Sequence, residues 1–376
     1  MERLVTTPRP DWRGHVERDL GFAFHTIDGE PYWDETACYR FTADEIDAIE
    51  AATAELEQMA LALVDRVVRE GEPAYDRLRI AAHARPAIER SWNAREKNLY
   101  GRFDLRYDGQ GPPKLLEYNA DTPTALFEAS VVQWDWLEAM WPGRDQFNSI
   151  HERLIEAWRL FGLGRQRLYF AAVKDNAEDG GTVEYLRDTA MQAGLDTARI
   201  AIEDIGWDGQ RFLDLDGNAI EALFKLYPWE WIVGEPFGEH LLSGATRVIE
   251  PPWKMVLSNK AALALLWEMA PGHPNLLPAS LTPGAIEGTV VRKPIFSREG
   301  ANVQVIEGDR VVAETGGGYG AEGFVYQANA PLPAFDGHYP VIGSWVVASQ
   351  PAGIGLREDS TAITRDTSRF VPHFFE

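Results

Sequence analysis

The stretch GRFDLRYDGQGPPKLLEYNADTPT, residues 101–124, restricts what this chain can build more than any other. In its first arm Arg102, Asp104 and Arg106 alternate with Phe103, Leu105 and Tyr107; in the second, Glu117 and Asn119 alternate with Leu116 and Tyr118. A period of two is that of a strand. The linker DGQGPP is made of turn formers, so an antiparallel hairpin is the expected connection. Pairing about the middle of that linker sets Asp104 opposite Glu117 and Arg102 opposite Asn119. Opposed residues have Cβ atoms about 5 Å apart, and like charges there repel. Asp104 and Glu117 therefore need a compensating group.

Two carboxylates and an amide oxygen form a hard oxygen set, suited to a Mg²⁺ ion kept partly hydrated and shared with phosphates. Arg102 beside them suits a phosphoryl or carboxylate oxygen held by two hydrogen bonds. The same residues also describe a solvated strand face with an Arg–Asp pair worth about 0–1 kcal/mol. Both readings stay open at this level.

The chain carries one cysteine, Cys38, which excludes an intrachain disulfide and a cysteine-based zinc site; its eight histidines form no HExxH. No apolar run is long enough to span a bilayer, and MERLVTTPRPDWRGHVERDLG lacks the apolar core of a secretion signal. No membrane partner and a cytoplasmic location are the expectations. A formal charge of -22 argues against nucleic acid as a partner. It favours encounter with a cationic substrate such as a polyamine or basic amino acid, although solubility alone also accounts for it.

Periodicity divides the chain into an α/β (α+β) fold with tentative lobes at 1–164, 165–250 and 251–376. Thr42 and Glu45 form a capping box before a long amphipathic helix to about Glu70, and a second helix is expected around 85–97. A third carries ALFEASVVQWDWLEAMW, where Trp134, Trp136 and Trp141 read as core and lobe contacts rather than a ligand cage. From Arg167, short apolar strands (RLYFAAV, RIAIEDI, EALFKLYPW) alternate with helical stretches, one of them closed by Gly194 and another near 230–243. The final third turns to hairpins, as in VQVIEGDRVVAE.

No G-x-x-x-x-G-K-[ST] motif is present. Gly318, Gly320 and Gly323 satisfy G-x-G-x-x-G, but they lie between two strand patterns, so they read as a strand connection rather than a dinucleotide site. Lys260 opens the helical SNKAALALLWEM, with Ser258 and Asn259 as caps, and Lys293 lies in the strand GTVVRKPIF. Gly300, in SREGANVQV, lets backbone N–H groups approach phosphates, and Gln327 ends a strand where it could face an adenine edge. Solvent exposure is the plain alternative for both lysines. Together these parts suggest a nucleotide held between two lobes. Segment 297–302 or 315–323 is then expected to act as a lid.

That combination, with YWDETACY, GRFDLRYDG, KLLEYNADTPT, EPPWKMVLSNKAALALLWEMAPGHPNLLPA, VRKPIFSREGANV, VYQ and GSWVVASQPAGIGLREDSTAITRDTSRFVPHFF, resembles the glutathionylspermidine synthetase family of ATP-grasp ligases, in its amidase-less branch. The resemblance runs through nearly the whole chain. It implies a permuted ATP-grasp fold in which metal ligands precede the lysines. Asp104, Glu117 and Asn119 would hold Mg²⁺, Arg102 would contact the reacting phosphoryl or acyl phosphate, and Lys260, Lys293 and Gln327 would bind ATP. The implied reaction is ADP-forming ligation of a peptide or γ-glutamyl-type carboxylate to a polyamine or amino-acid amine. A small-molecule kinase and a silent ATP-binding scaffold are the alternatives. One departure concerns the candidate substrate segment Asp121, Thr122 and Thr124: family members that use glutathione carry serines and a cysteine after the asparagine, and the thiol is missing here.

Overall fold

A computed structural model describes residues 1–27, 29–298, 300–361, 363 and 368–376. At its centre is an antiparallel sheet in the order Arg369–Val371, Gln350–Asp359, Tyr339–Val347, Tyr100–Arg106, Lys114–Asn119. The hairpin thus forms one edge of a sheet whose other strands arrive from the far end of the chain. Strands from 251–376 divide among sheets, some of them joining this one.

One face of this sheet packs on the long helix Ala43–Glu70, whose Thr42–Glu45 capping box is formed as the sequence implies. Its buried stripe, Ile49, Leu56, Ala60, Leu63 and Val67, recurs at helical spacing. Two polar contacts fix that packing: Thr53 Oγ1 bonds Ser344 Oγ at 2.6 Å, and the Tyr118 hydroxyl donates to Glu57 at 2.8 Å. The opposite face carries the charged row of the hairpin. Successive rows across it read Glu117–Asp104–Gly343–Gly355 and Asn119–Arg102–Trp345–Gly353. The glycines in these rows admit close neighbours, Arg102 over Gly343 and Phe370 over Gly355.

The middle of the chain forms a parallel sheet, in the order Arg247–Ile249, Ala222–Lys225, Leu168–Ala172, Thr197–Ala201. Helix Ala177–Gln192, capped by Asn176, crosses between the last two strands. The expected 85–97 helix is shorter, Arg85–Asn93. The helix after Thr124 begins with one wide turn over Glu128–Val132 before Gln133–Met140. There Trp136 is fully buried, whereas Trp134 is 38% exposed.

A second antiparallel sheet completes the architecture: Ala279–Ser280, Phe324–Ala328, Val290–Pro294, Gln304–Glu307, Arg310–Glu314. The 315–323 segment joins two of its strands, as its context implies. Gly317 and Gly320 have φ of 151° and 124°; a Cβ on Gly317 would come within 2.8 Å of Ala301. No described helix is long and apolar enough to cross a membrane.

Candidate active site

The hairpin pairs in the register its alternation implies, Asp104 with Glu117 and Arg102 with Asn119. A bulge follows, because the register slips between Asp104 and Leu105 and leaves Leu116 without a partner. The freed Leu116 carbonyl accepts from Lys293 Nζ at 2.8 Å. A β-bulge here aims backbone at a site instead of at the ladder.

Above this face lies a pocket of about 390 Å³ lined by Arg102, Asp104, Glu117, Asn119, Thr122, Thr124, Lys260, Lys293, Gly300 and Gln327. Ten residues singled out from sequence thus meet in one place. Two further cations, Arg298 and Arg357, complete the wall. The lining also carries Val291, Val303, Val305, Leu332 and Val341, with Val341 paired across strands with Arg357 and Val291 with Gln327.

Compensation for the opposed carboxylates comes from cations. Arg102 grips Asp104 with Nε at 2.6 Å and Nη2 at 3.1 Å, and its Nη1 donates to the Thr124 carbonyl at 2.6 Å. Its guanidinium lies over the Trp345 ring, 5.6 Å from the centroid. Gly343 permits this: a Cβ there would stand 2.8 Å from Arg102 Cδ. Arg357 approaches Asp104 at 3.8 Å, and Lys260 pairs with Glu117 at 3.2 Å while donating to the Ser297 carbonyl. The solvated strand face is therefore not what the fold builds: Arg102 and Asp104 are 6% and 5% exposed.

Burial would push Glu117 up, but Lys260 and Lys293 outweigh it and hold the carboxyl down at about 2. Burial, with Lys260 near, pushes Lys293 down to about 8 against the attraction of Glu117. Neither lysine is the solvated side chain that its residue type suggests.

Asn119 Nδ2 stands between the carboxylates, 3.2 Å from Asp104 and 3.3 Å from Glu117. The amide N–H marks a point between the carboxylates where positive charge is favoured; with the amide turned over, the Asn119 oxygen would join them in a hard oxygen set that fits a divalent ion. Among the described residues no three His, Cys, Asp or Glu side chains cluster to hold a metal alone. Mg²⁺ needs only one or two carboxylates when phosphates and water supply its remaining ligands.

Two expectations are corrected. Asp121 does not face the pocket: it is 1% exposed, bonds Lys225 Nζ at 2.7 Å and takes the Trp229 N–H at 2.8 Å, so both oxygens are used in the interior. Gln327 lines the wall, but its amide accepts from Lys293 at 2.8 Å and donates to the Leu115 carbonyl at 3.0 Å. As placed, it orients Lys293 and has no group free for an adenine edge. Thr122 Oγ1 accepts from Arg298 at 2.8 Å. Gly300 adopts φ 68° in the loop beyond Lys293, and Glu299, part of the expected 297–302 lid, lies outside the described residues.

Arg298 and Arg357 were missed. Arg357 had a legible signal, since Gly353, Gly355 and Arg357 share one face of a strand and two glycines beside an arginine suggest cleared space. Arg298 had none, lying in a loop whose course sequence does not define.

The family described as glutathionylspermidine synthase preATP-grasp matches residues 3–376. A Haemophilus influenzae protein named "Putative acid--amine ligase" is 44% identical over 395 residues, spanning 100% of both chains. The bifunctional glutathionylspermidine synthetase/amidase of Escherichia coli (strain K12) is 26% identical over 366 residues, 89% of this chain and 58% of that one. The chain thus spans little more than half the length of that relative. Among solved structures, a glutathione synthetase-like effector from Globodera pallida superposes with a TM-score of 0.54 at 11% identity, over 90% of this chain and 89% of the other. That likeness concerns the fold alone.

Proposed function

The chain belongs to the glutathionylspermidine synthase family and is an acid–amine ligase, and we propose that it is ADP-forming and works through an acyl phosphate. The observation that carries this reading is the pocket's charge. In a chain of net charge -22, Arg102, Lys260, Lys293, Arg298 and Arg357 converge on a lining whose acidic side chains, among the described residues, are Asp104 and Glu117. Such a focus of positive charge favours a polyanion at this pocket, whereas the chain's total charge favours encounter with the cationic amine substrate.

ATP suits this mixed lining. Lys260 and Lys293 are placed for phosphates, and Val291, Val305, Leu332 and Val341 for the purine. Asp104, Glu117 and Asn119 would hold Mg²⁺, which when bound neutralises phosphoryl oxygens. A carboxylate oxygen of the acid takes the γ-phosphoryl group, releasing ADP. The amine nitrogen then attacks the acyl carbon, the carbon–oxygen bond to phosphate breaks, and amide and inorganic phosphate leave. Arg102, fixed by Asp104 and the Thr124 carbonyl, orients the acid end, with Thr122 and Thr124 alongside. Catalysis is positioning and electrostatic stabilisation, the ordinary means of phosphoryl transfer. A peptide or γ-glutamyl-type acid and a polyamine or amino-acid amine are the substrate classes. Demand for ATP and Mg²⁺ makes the cytoplasm the fitting location.

The test is Mg²⁺-dependent ADP release with product mass, across a matrix of peptide and γ-glutamyl acids against polyamines and amino acids, with Asp104→Asn as control. A product of mass acid plus amine minus water supports ligation. ADP release without it favours a kinase, and nucleotide binding without turnover across the matrix favours a scaffold.

A further inference from the structure

A lysine–carboxylate pair buried as deeply as Asp121–Lys225 is rarely kept for stability. The two side chains are 1% and 0% exposed, and their desolvation offsets most of their attraction. An apolar pair of similar volume is commonly as stable or more so. The question is what the pair positions.

Asp121 touches two chain segments at once. One oxygen binds Lys225 Nζ, which lies over the Trp229 ring, 4.7 Å from its centroid. The other takes the Trp229 N–H at 2.8 Å. The residue after Asp121 is Thr122 and the residue after Trp229 is Glu230. Those two neighbours share one partner: Arg298 donates Nη1 to Thr122 Oγ1 and Nη2 to Glu230 Oε1, each at 2.8 Å. Its guanidinium also lies over Trp231, 5.5 Å from the centroid. Thr122 and Glu230 come from distant parts of the chain, and one planar guanidinium spans both only if their spacing is held. Asp121 is the group that holds it.

We propose that the buried Asp121–Lys225 pair is a positioning device: it spaces Thr122 and Glu230 into a socket that docks Arg298, and through Arg298 the loop beyond Lys293, at the pocket. Asp121 and Lys225 act through Arg298 and touch no substrate. For its catalytic consequence the proposal rests on the ligase reading; for docking it does not.

Limited trypsinolysis tests docking directly, because a cut after Arg298 requires its release, and cleavage tracks the population of the open form. The variant Thr122→Val with Glu230→Gln removes the socket and should speed that cut by about tenfold. Asp121→Leu with Lys225→Met should do the same while melting near the wild-type temperature. Asp121→Asn is read in the same way and stands in if the apolar pair does not fold. Cleavage after Arg298 at the wild-type rate in any folded variant overturns the proposal. So does an equal rise at the already exposed Arg69 and Arg211, which signals general loosening. In the ligation assay Asp121→Leu with Lys225→Met, or Asp121→Asn, should lower kcat, and should lower it no further in an Arg298→Ala background. Additive losses there also overturn the proposal. If the wild type forms no product with any acid–amine pair, the ligase reading has failed, and the cut after Arg298 still decides the socket.

Discussion

Glu117–Lys260 and Asp121–Lys225 are the same chemical contact in two settings. The first, at 3.2 Å, faces the pocket with side chains 27% and 13% exposed; the second, at 2.7 Å, is sealed at 1% and 0%. Burial decides what each can do. The exposed pair can exchange its partner for an incoming ligand, because water and phosphate are at hand to solvate the separated charges. The sealed pair cannot exchange, since separation would leave a bare charge in the interior. One belongs to chemistry and the other to architecture, although Glu117, in the strand Lys114–Asn119, and Asp121, just beyond its end, are close in sequence.

The largest test of this contrast is Glu117→Gln. We expect kcat to fall by at least about ten-thousandfold, ~5 kcal/mol of transition-state stabilisation, with the melting temperature nearly unchanged. Steady-state ADP release beside thermal unfolding checks it, and wild-type turnover would remove Glu117 from the site. Lys225→Met inverts the pattern: one unpaired buried carboxylate should cost about 4 kcal/mol of stability. Lys260→Met should shift stability by about 1 kcal/mol or less. Equal shifts in denaturant midpoint would erase the distinction between the pairs.

A third test uses proton linkage. Burial lowers Lys293 to about 8, so the free enzyme carries its charge below that pH and loses it above. Phosphate favours the charged form, so nucleotide affinity should be full below pH 8 and fall above it by up to about tenfold per unit, ~1.4 kcal/mol. Calorimetric titration from pH 7 to 9.5 checks this, and Lys293→Arg should flatten the curve. The smallest expected effect is Gly343→Ala. Its methyl would press on Arg102 Cδ, within 2.8 Å, and we expect a severalfold loss of kcat, ~1 kcal/mol, with nucleotide affinity preserved.

Much of this site was legible because its core is local. Alternation in two short arms and a turn-rich linker determine which residues oppose, so Arg102, Asp104, Glu117 and Asn119 could be placed on one face. Lys293 was legible as a strand residue, but its burial came from Gln327 and the bulged Leu116 carbonyl, contacts that no periodicity encodes. Asp121 misled because its partner, Lys225, lies on a strand of another sheet, and a carboxylate near a site looks the same in sequence whether it faces solvent or a buried ammonium. Net charge does not disclose the sign of the pocket, because Arg102, Lys260, Lys293, Arg298 and Arg357 come to it from separate parts of the chain. Arg357 reaches Asp104 only because the strand Gln350–Asp359 joins the sheet that holds the hairpin.

The central claim is that a carboxylate is activated by direct phosphorylation at this cationic face. It is tested most directly by running the reaction on an acid whose carboxylate oxygens carry a heavy-oxygen label, then weighing the released phosphate. The account predicts one labelled oxygen per inorganic phosphate, with ADP unlabelled. Label in AMP, or phosphate free of label while amide still forms, would contradict it.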